Sequence, residues 1–504
     1  MTTDESDTAQ GVVFPVVDGR RSSLATGRAV FADAVSRVDT ALATGFLREP
    51  SWHKNYHHHI RTLTHLSARS AVYSSRIARD GLDAATRRMR FVRGRDEMDL
   101  ATGMSVADPD RFATATVSGG DGQGRPPALA VPYRGALLEG DALRRQLQTW
   151  QTKGIVEPGF ATALTAVIDH PEWSDLSDLS FVLLGAGAEL SPLVALLRRG
   201  ATVAAIDVPR PQLWQRLIRE GRRNPGRLSF PVRRSEAVDR SDDQLADHAG
   251  LDLVTDAPEA ARWIGALPGP FTLGSYIYTP GADHVRATVA VDAVIRRLSA
   301  RRSDLGLAFL ATPTDVYAVP IEAVEMSLAR YHSRSAAAIA LAGLSAHRLF
   351  RPQYEGTEIA VDGDAFGLSD VLVEQQGPNY ALAMRLQRWR AMDARVHGVG
   401  VSVNVAPPTS TRSVVRNRLL AMAYRGADGF GVEIFEPATT RALMAALLVH
   451  DLRNPESYAH AEVPLEQDWR MFTHGANHGG LWRVAYEPRS VLTMAVARGA
   501  LSRG

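Results

Sequence analysis

The chain has 504 residues, 45% of them hydrophobic and 22% charged, a balance that excludes wholesale disorder and gives length for two or three domains. With 57 basic residues against 55 acidic the formal charge is only +2, so no field strong enough to recruit nucleic acid or an anionic membrane is implied. Cysteine is absent, which removes disulfides, thiol catalysis and cysteine-ligated metal centres, and the only lysines are Lys54 and Lys153, so nothing beyond residue 153 can act as a catalytic lysine.

Residues 1–22 read as a polar, mobile arm without the apolar core of a signal peptide. No later segment is an uninterrupted membrane-spanning run, so a cytoplasmic location with no membrane partner is expected. From residue 23 to 47 apolar residues recur at helical spacing (Val30, Phe31, Ala34, Val35, Val38, Leu42), and a second helical stretch covers 58–90. The run His57-His58-His59 invites a metal reading, but adjacent helical positions point in different directions, and a solvated or interface stretch is expected instead. Residues 108–127, ending in GGDGQGRPP, predict a long surface connection, and 143–168 predict a helix with Trp150 and Trp173 as packing anchors. Residues 23–170 therefore read as a mostly helical region that offers no nameable chemistry.

The next stretch organises the chain. Residues 181–207, FVLLGAGAELSPLVALLRRGATVAAID, run without a gap as buried strand, glycine turn, helix, second strand and terminal acid. Leu190, Leu193, Val194 and Leu197 give the helix its packing face, and Gly200 stops it. Asp207 lies 22 residues after Gly185, where a carboxylate accepts hydrogen bonds from a ribose diol. Gly185, Ala186 and Gly187 would let a pyrophosphate approach the exposed amides at the helix start. Glu189 and Ser191 stand where commoner fingerprints carry small residues or glycine.

Beyond Asp207 the alternation of helix and strand continues, which predicts an α/β fold with a doubly wound, Rossmann-like parallel sheet following the helical N-terminal region. Helices are predicted over 211–220, 257–267, 285–298 and 321–349, and strands over 227–232, 271–278 and 307–311. The expected organisation is an arm at 1–22, a helical region at 23–170, a dinucleotide-binding and catalytic domain at 171–465, and a segment at 466–504 packing on that domain. Tyr278 ends the 271–278 strand and His284 follows it at the rim where ligands bind in such sheets, His284 as either an acid–base group or a surface residue beside a capping Asp283. His474 and His478 sit among glycines, which argues against a ligand-bearing helix and for an ordered loop that packs Trp482 onto the domain.

Residues 378–411, PNYALAMRLQRWRAMDARVHGVGVSVNVAPPTST, resemble the short-chain dehydrogenase/reductase superfamily. There a tyrosine opens a helix, a lysine follows four residues on, and the next strand ends in an Asn…Pro-Gly segment followed by threonines. The matching positions are Tyr380, a strand over 399–405 with Asn404 in it, and Pro407-Pro408-Thr409-Ser410-Thr411; residues 440–451 resemble the family's late helix. Met384 stands in place of the lysine, and Pro408 in place of the glycine. The family's serine corresponds either to Ser369, by spacing, or to Thr312 and Thr314, by their place at a strand end. The resemblance implies Tyr380, Thr312, Thr314, Ser369 and Asn404 as the catalytic set. It implies NAD, with NADP as the variant, along Gly185, Ala186, Gly187, Glu189, Asp207, Val208, Tyr278, Pro407 and Thr409, and no metal. The expected activity is an NAD(P)-dependent oxidation or reduction of a small alcohol or carbonyl, with homo-oligomerisation left open. Two rivals stand beside it, an S-adenosylmethionine-dependent methyltransferase and a non-catalytic nucleotide-binding relative.

Overall fold

A computed structural model describes residues 9–119, 127–234, 241–361 and 363–501. The fold is mixed α/β, built on a seven-stranded sheet. Its strands are β1 (Phe112–Ser118), β2 (Ser180–Leu184), β3 (Thr202–Ile206), β4 (Arg227–Arg233), β5 (Phe271–Ser275), β6 (Leu305–Ala311) and β7 (Val401–Val405). Across the sheet they run β7-β6-β5-β2-β3-β4-β1, all neighbours parallel except the antiparallel pair of β1 and β4.

Burial on both faces explains why the parallel strands are near-continuous apolar runs. In β2 and β3, Val182, Leu184, Ala204 and Ile206 point into one core, while Phe181, Leu183, Val203 and Ala205 point into the other. The first core also takes α6 (Ala257–Gly265), α7 (Ala282–Ser299) and α8 (Gly377–Val396); the second takes α4 (Leu193–Leu197), α5 (Pro211–Arg223) and α9 (Pro437–Arg453). Pairing of Leu184 with Ile206 brings the ends of β2 and β3 level, so Gly185 and Asp207 leave the sheet side by side.

The N-terminal region is not set apart from this sheet. Helices α1 (Ser23–Val35), α2 (Trp52–Ala68) and α3 (Ala71–Arg88) pack around α8. Phe31 meets Trp389 edge-on at 6.0 Å, and a Cβ at Gly81 would lie 2.3 Å from the same indole, so only glycine lets α3 come this close. Enclosed by α7, the sheet and these three helices, α8 is buried on every side from Ala381 to Met392, its three arginines in that stretch included.

Three local expectations differ from what is observed. Part of the presumed arm is ordered, with Gly11–Val13 pairing with Arg90–Arg93 and Val12, Val13 and Phe14 fully buried. The presumed surface connection contains β1, although residues 120–126 of it lie outside the described residues. No helix starts at the glycine turn either: residues 185–192 form an irregular loop, and α4 is only 5 residues long. Pro192 is the cause, because it lacks an N–H and disfavours helical backbone at Ser191. Among the described residues no helix is long and apolar enough to cross a membrane.

Candidate functional site

The site residues that come together lie at the carboxyl ends of the parallel strands. Gly185 adopts φ +79°, and a Cβ there would sit 3.0 Å from the Ile277 amide nitrogen. The turn closes on itself: the Gly185 and Ala186 amides donate to the Ile206 carbonyl at 2.9 and 3.2 Å, and the Ala188 amide to the Gly185 carbonyl at 3.0 Å. The Gly187 amide donates to Asp207 Oδ2 at 2.7 Å, and the Val208 amide to Asp207 Oδ1 at 2.8 Å. Burial raises the Asp207 pKa, against the pull of those two amides and of Arg216 and Arg210.

These contacts test a dinucleotide against the chain. A carboxylate has about four lone-pair sites, so Asp207 retains acceptor capacity for a ribose hydroxyl while holding both amides. The amides of Gly185 to Ala188 are spent inside the turn and do not form an open cradle for a pyrophosphate. A Cβ at Gly187 would lie 2.4 Å from Leu213 Cδ1, so Gly187→Val disturbs packing as well as ligand approach.

At the other side of the rim, Tyr380 near the start of α8 lies beside the hydroxyls of Thr312 and Thr314, just past the end of β6. Thr312 Oγ1 and Thr314 Oγ1 are 2.9 Å apart, and Gln376 Nε2 donates to Thr314 Oγ1 at 2.7 Å. Burial pushes the Tyr380 pKa upward more than the neighbouring threonine hydroxyls pull it down. His284 lies between two tyrosines, its ring 5.3 Å from Tyr278 and 6.0 Å from Tyr380. Tyr278 is 58% exposed, whereas His284 is only 1% exposed and neither ring nitrogen makes a hydrogen bond of good geometry, the Ile277 backbone being its nearest polar neighbour.

Burial lowers the His284 pKa to about 4. The unfolded chain takes up this proton from about pH 6.5 downward and the folded chain does not, so stability is lost as pH falls through that window, by at most roughly 3 kcal/mol. Denaturation at neutral and at mildly acid pH checks this: His284→Phe should remove much of the acid loss, and an unaltered pH dependence would refute the assignment.

Other sequence-derived site residues go elsewhere. Asn404 lies in β7 on the face opposite α8, where its Nδ2 donates to Ser402 Oγ at 3.1 Å and to Asp451 Oδ2 of α9 at 3.0 Å. It therefore does not share a site with Tyr380. Ser369, in the small antiparallel sheet formed by Val316–Pro320, Ala365–Asp370 and Glu358–Ile359, accepts from Gln353 Nε2 at 3.1 Å and is also in contact with Tyr354, so the threonines hold the place beside Tyr380. Thr409 Oγ1 bonds the Pro407 carbonyl at 2.8 Å and Thr440 Oγ1 at 2.8 Å, which commits the 407–409 segment to anchoring α9. Glu189 accepts the Arg412 amide at 3.0 Å and braces the turn loop.

The candidate cations near Tyr380 are also accounted for. Arg385 Nη2 and Arg388 Nη1 each lie 2.8 Å from an oxygen of the buried Asp315, and Arg388 stacks on Tyr317 and Phe472. No group of three or more His, Asp or Glu side chains among the described residues is placed to hold a metal; His59 instead pairs with Glu49 at 3.1 Å. His474 stacks on Tyr458, His478 bonds Glu157 at 2.9 Å, and Trp482 is fully buried. No protein-family model, curated protein or solved structure matches this chain.

Proposed function

We propose that the chain is a Rossmann-like, doubly wound NAD(P)-dependent oxidoreductase of the cytoplasm that acts on a small uncharged carbonyl or alcohol. The observation that carries this reading is Tyr380 set beside the hydrogen-bonded pair of Thr312 and Thr314 at the carboxyl rim of β6. The strand order β4-β3-β2-β5-β6-β7 supports it, since the reversal between β2 and β5 is where dinucleotides lie in doubly wound sheets. Helices on both faces, with the tyrosine helix between β6 and β7, fit the short-chain dehydrogenase/reductase pattern.

In this reading Asp207 accepts from a ribose hydroxyl, and the tight backbone at Gly185 permits close approach. When bound, the nicotinamide supplies or accepts hydride. Tyr380 gives a proton to the substrate oxygen during reduction and takes it back during oxidation, and Thr312 and Thr314 fix the direction of its hydroxyl. A second reading, nucleotide binding without turnover, is favoured by Met384, because Arg385 and Arg388, the next cations along the helix, are both committed to Asp315.

NAD should bind more tightly than NADP, because Asp207 repels a 2′-phosphate and accepts a 2′-hydroxyl. Titration calorimetry with both, their reduced forms and S-adenosylmethionine tests this. Asp207→Asn should weaken NAD binding about tenfold while keeping an acceptor for the Gly187 amide. Equal or tighter binding of NADP by the wild type would remove the discrimination, and preferential binding of S-adenosylmethionine would remove the oxidoreductase reading.

A further inference from the structure

Three guanidinium groups converge on the loop after the glycine turn from elements far apart in sequence. Arg216 of α5 donates Nη2 to the Gly187 carbonyl at 2.9 Å, and Arg441, near the start of α9, donates Nη1 to the Glu189 carbonyl at 2.8 Å. Arg412, which opens the helix Arg412–Arg416, gives its amide to Glu189 Oε2 at 3.0 Å and brings its own Nε to 3.7 Å from the same oxygen. Burial chiefly depresses the Arg441 pKa, Arg216 and Arg412 lie close enough to add to that depression, and the Glu189 carboxylate opposes it. Like charges held this close cost free energy unless an anion offsets them.

Neither the fold of the loop nor its carbonyls exhausts these groups. A guanidinium carries five N–H donors in a fork that matches phosphate oxygens, so one carbonyl leaves most of each fork available. The loop amides present the opposite picture, since those of residues 185–188 already have acceptors. A five-residue α4 that begins six residues past Gly187 does not bring a helix terminus to the turn.

We propose that Arg216, Arg412 and Arg441 bind the anionic group of the ligand, so that the ligand is a nucleotide bearing phosphate or pyrophosphate, held by guanidinium forks in place of glycine-turn amides. The inference rests on the reading of the turn and Asp207 as a nucleotide site, and it adds the charge the ligand carries. The adjacent pairing of this cationic cluster with the Asp207 carboxylate suits a molecule that presents both an anion and a hydroxyl pair. Adenosine lacks the anion, and S-adenosylmethionine carries a sulfonium where a nucleotide carries phosphate, its one anion being the more distant carboxylate of the methionine end.

The test is titration calorimetry of the full chain with ADP-ribose and with adenosine, at low and high salt, for wild type, Arg216→Met and Arg441→Met. ADP-ribose should bind at least about tenfold more tightly than adenosine, and either substitution should remove about that factor from ADP-ribose and little from adenosine. High salt should weaken ADP-ribose selectively. Equal affinity for adenosine and ADP-ribose, or unchanged ADP-ribose affinity in both folded variants, overturns the proposal. Should the variants fail to fold, the melting temperature of wild type with inorganic pyrophosphate decides: a rise supports the site and no rise overturns it. Arginine-dependent ADP-ribose binding with no turnover of any alcohol or carbonyl supports this proposal while ending the oxidoreductase reading. Turnover with NAD in variants of undiminished cofactor affinity ends this proposal and leaves that reading standing.

Discussion

Asp315→Ala is expected to destabilise the fold by about 3–5 kcal/mol, the scale for removing one partner from a buried ion pair. Burial alone would raise the Asp315 pKa, but Arg385 and Arg388 outweigh it and hold the carboxylate ionised. Without it, two guanidinium groups would remain in the core between β6, α8 and Phe472, and each is already less than a tenth exposed. Burial and the like charge of Arg388 lower the Arg385 pKa to about 10, which is still too high to let the side chain escape its charge by losing a proton at neutral pH. Denaturant unfolding checks the loss, and the triple variant Asp315→Ala, Arg385→Met, Arg388→Met should recover much of it, since an apolar cluster of similar volume carries no unpaired charge. A loss below about 1 kcal/mol in the single variant would mean that the guanidiniums find other partners or water.

The same carboxylate explains a limit of sequence reasoning. Arg385 and Arg388 are one and four positions beyond Met384, close enough along the helix to look like substitutes for a missing lysine. Their partner lies 70 residues earlier, just after β6, and no local pattern joins the two. The glycine-loop arginines were hidden for the same reason, because they arrive from α5, from the segment after β7 and from α9. By contrast, the strands that became β2 to β7 were legible as short apolar runs, and the pairing of Tyr380 with Thr312 and Thr314 followed from one rule, that side chains at strand ends meet on the ligand-binding rim. Asn404 illustrates how strand period overrides motif spacing: in VSVNV the apolar residues alternate with Ser402 and Asn404, and that period of two turns both polar side chains away from α8. β1 is the harder case: ATATVS alternates strictly, but it sits within a loop-like stretch ending in GGDGQGRPP, and its pairing to β4 comes from far along the chain.

Tyr380→Phe is expected to reduce turnover by about 10²–10⁴-fold, the usual range for a lost general acid or base, with cofactor affinity nearly intact. The raised pKa adds a direction to that loss. At neutral pH Tyr380 stays protonated, so it is ready to donate a proton during carbonyl reduction. Alcohol oxidation needs the phenolate, and its rate should climb with pH well beyond neutrality. Met384→Lys will not repair this, because Met384 lines a gap of only about 10 Å³ with Thr312, Asp315 and Arg388, too small for an ammonium and its hydration. A third cation beside Arg385 and Arg388 should cost stability instead. Assays of a panel of small uncharged ketones, aldehydes and alcohols, run in both directions across pH, supply the baseline for the two variants. Wild-type turnover in Tyr380→Phe would move the proton to another group, and His284, tilted against the same ring at 6.0 Å and without a hydrogen bond of good geometry, is then the side chain to replace.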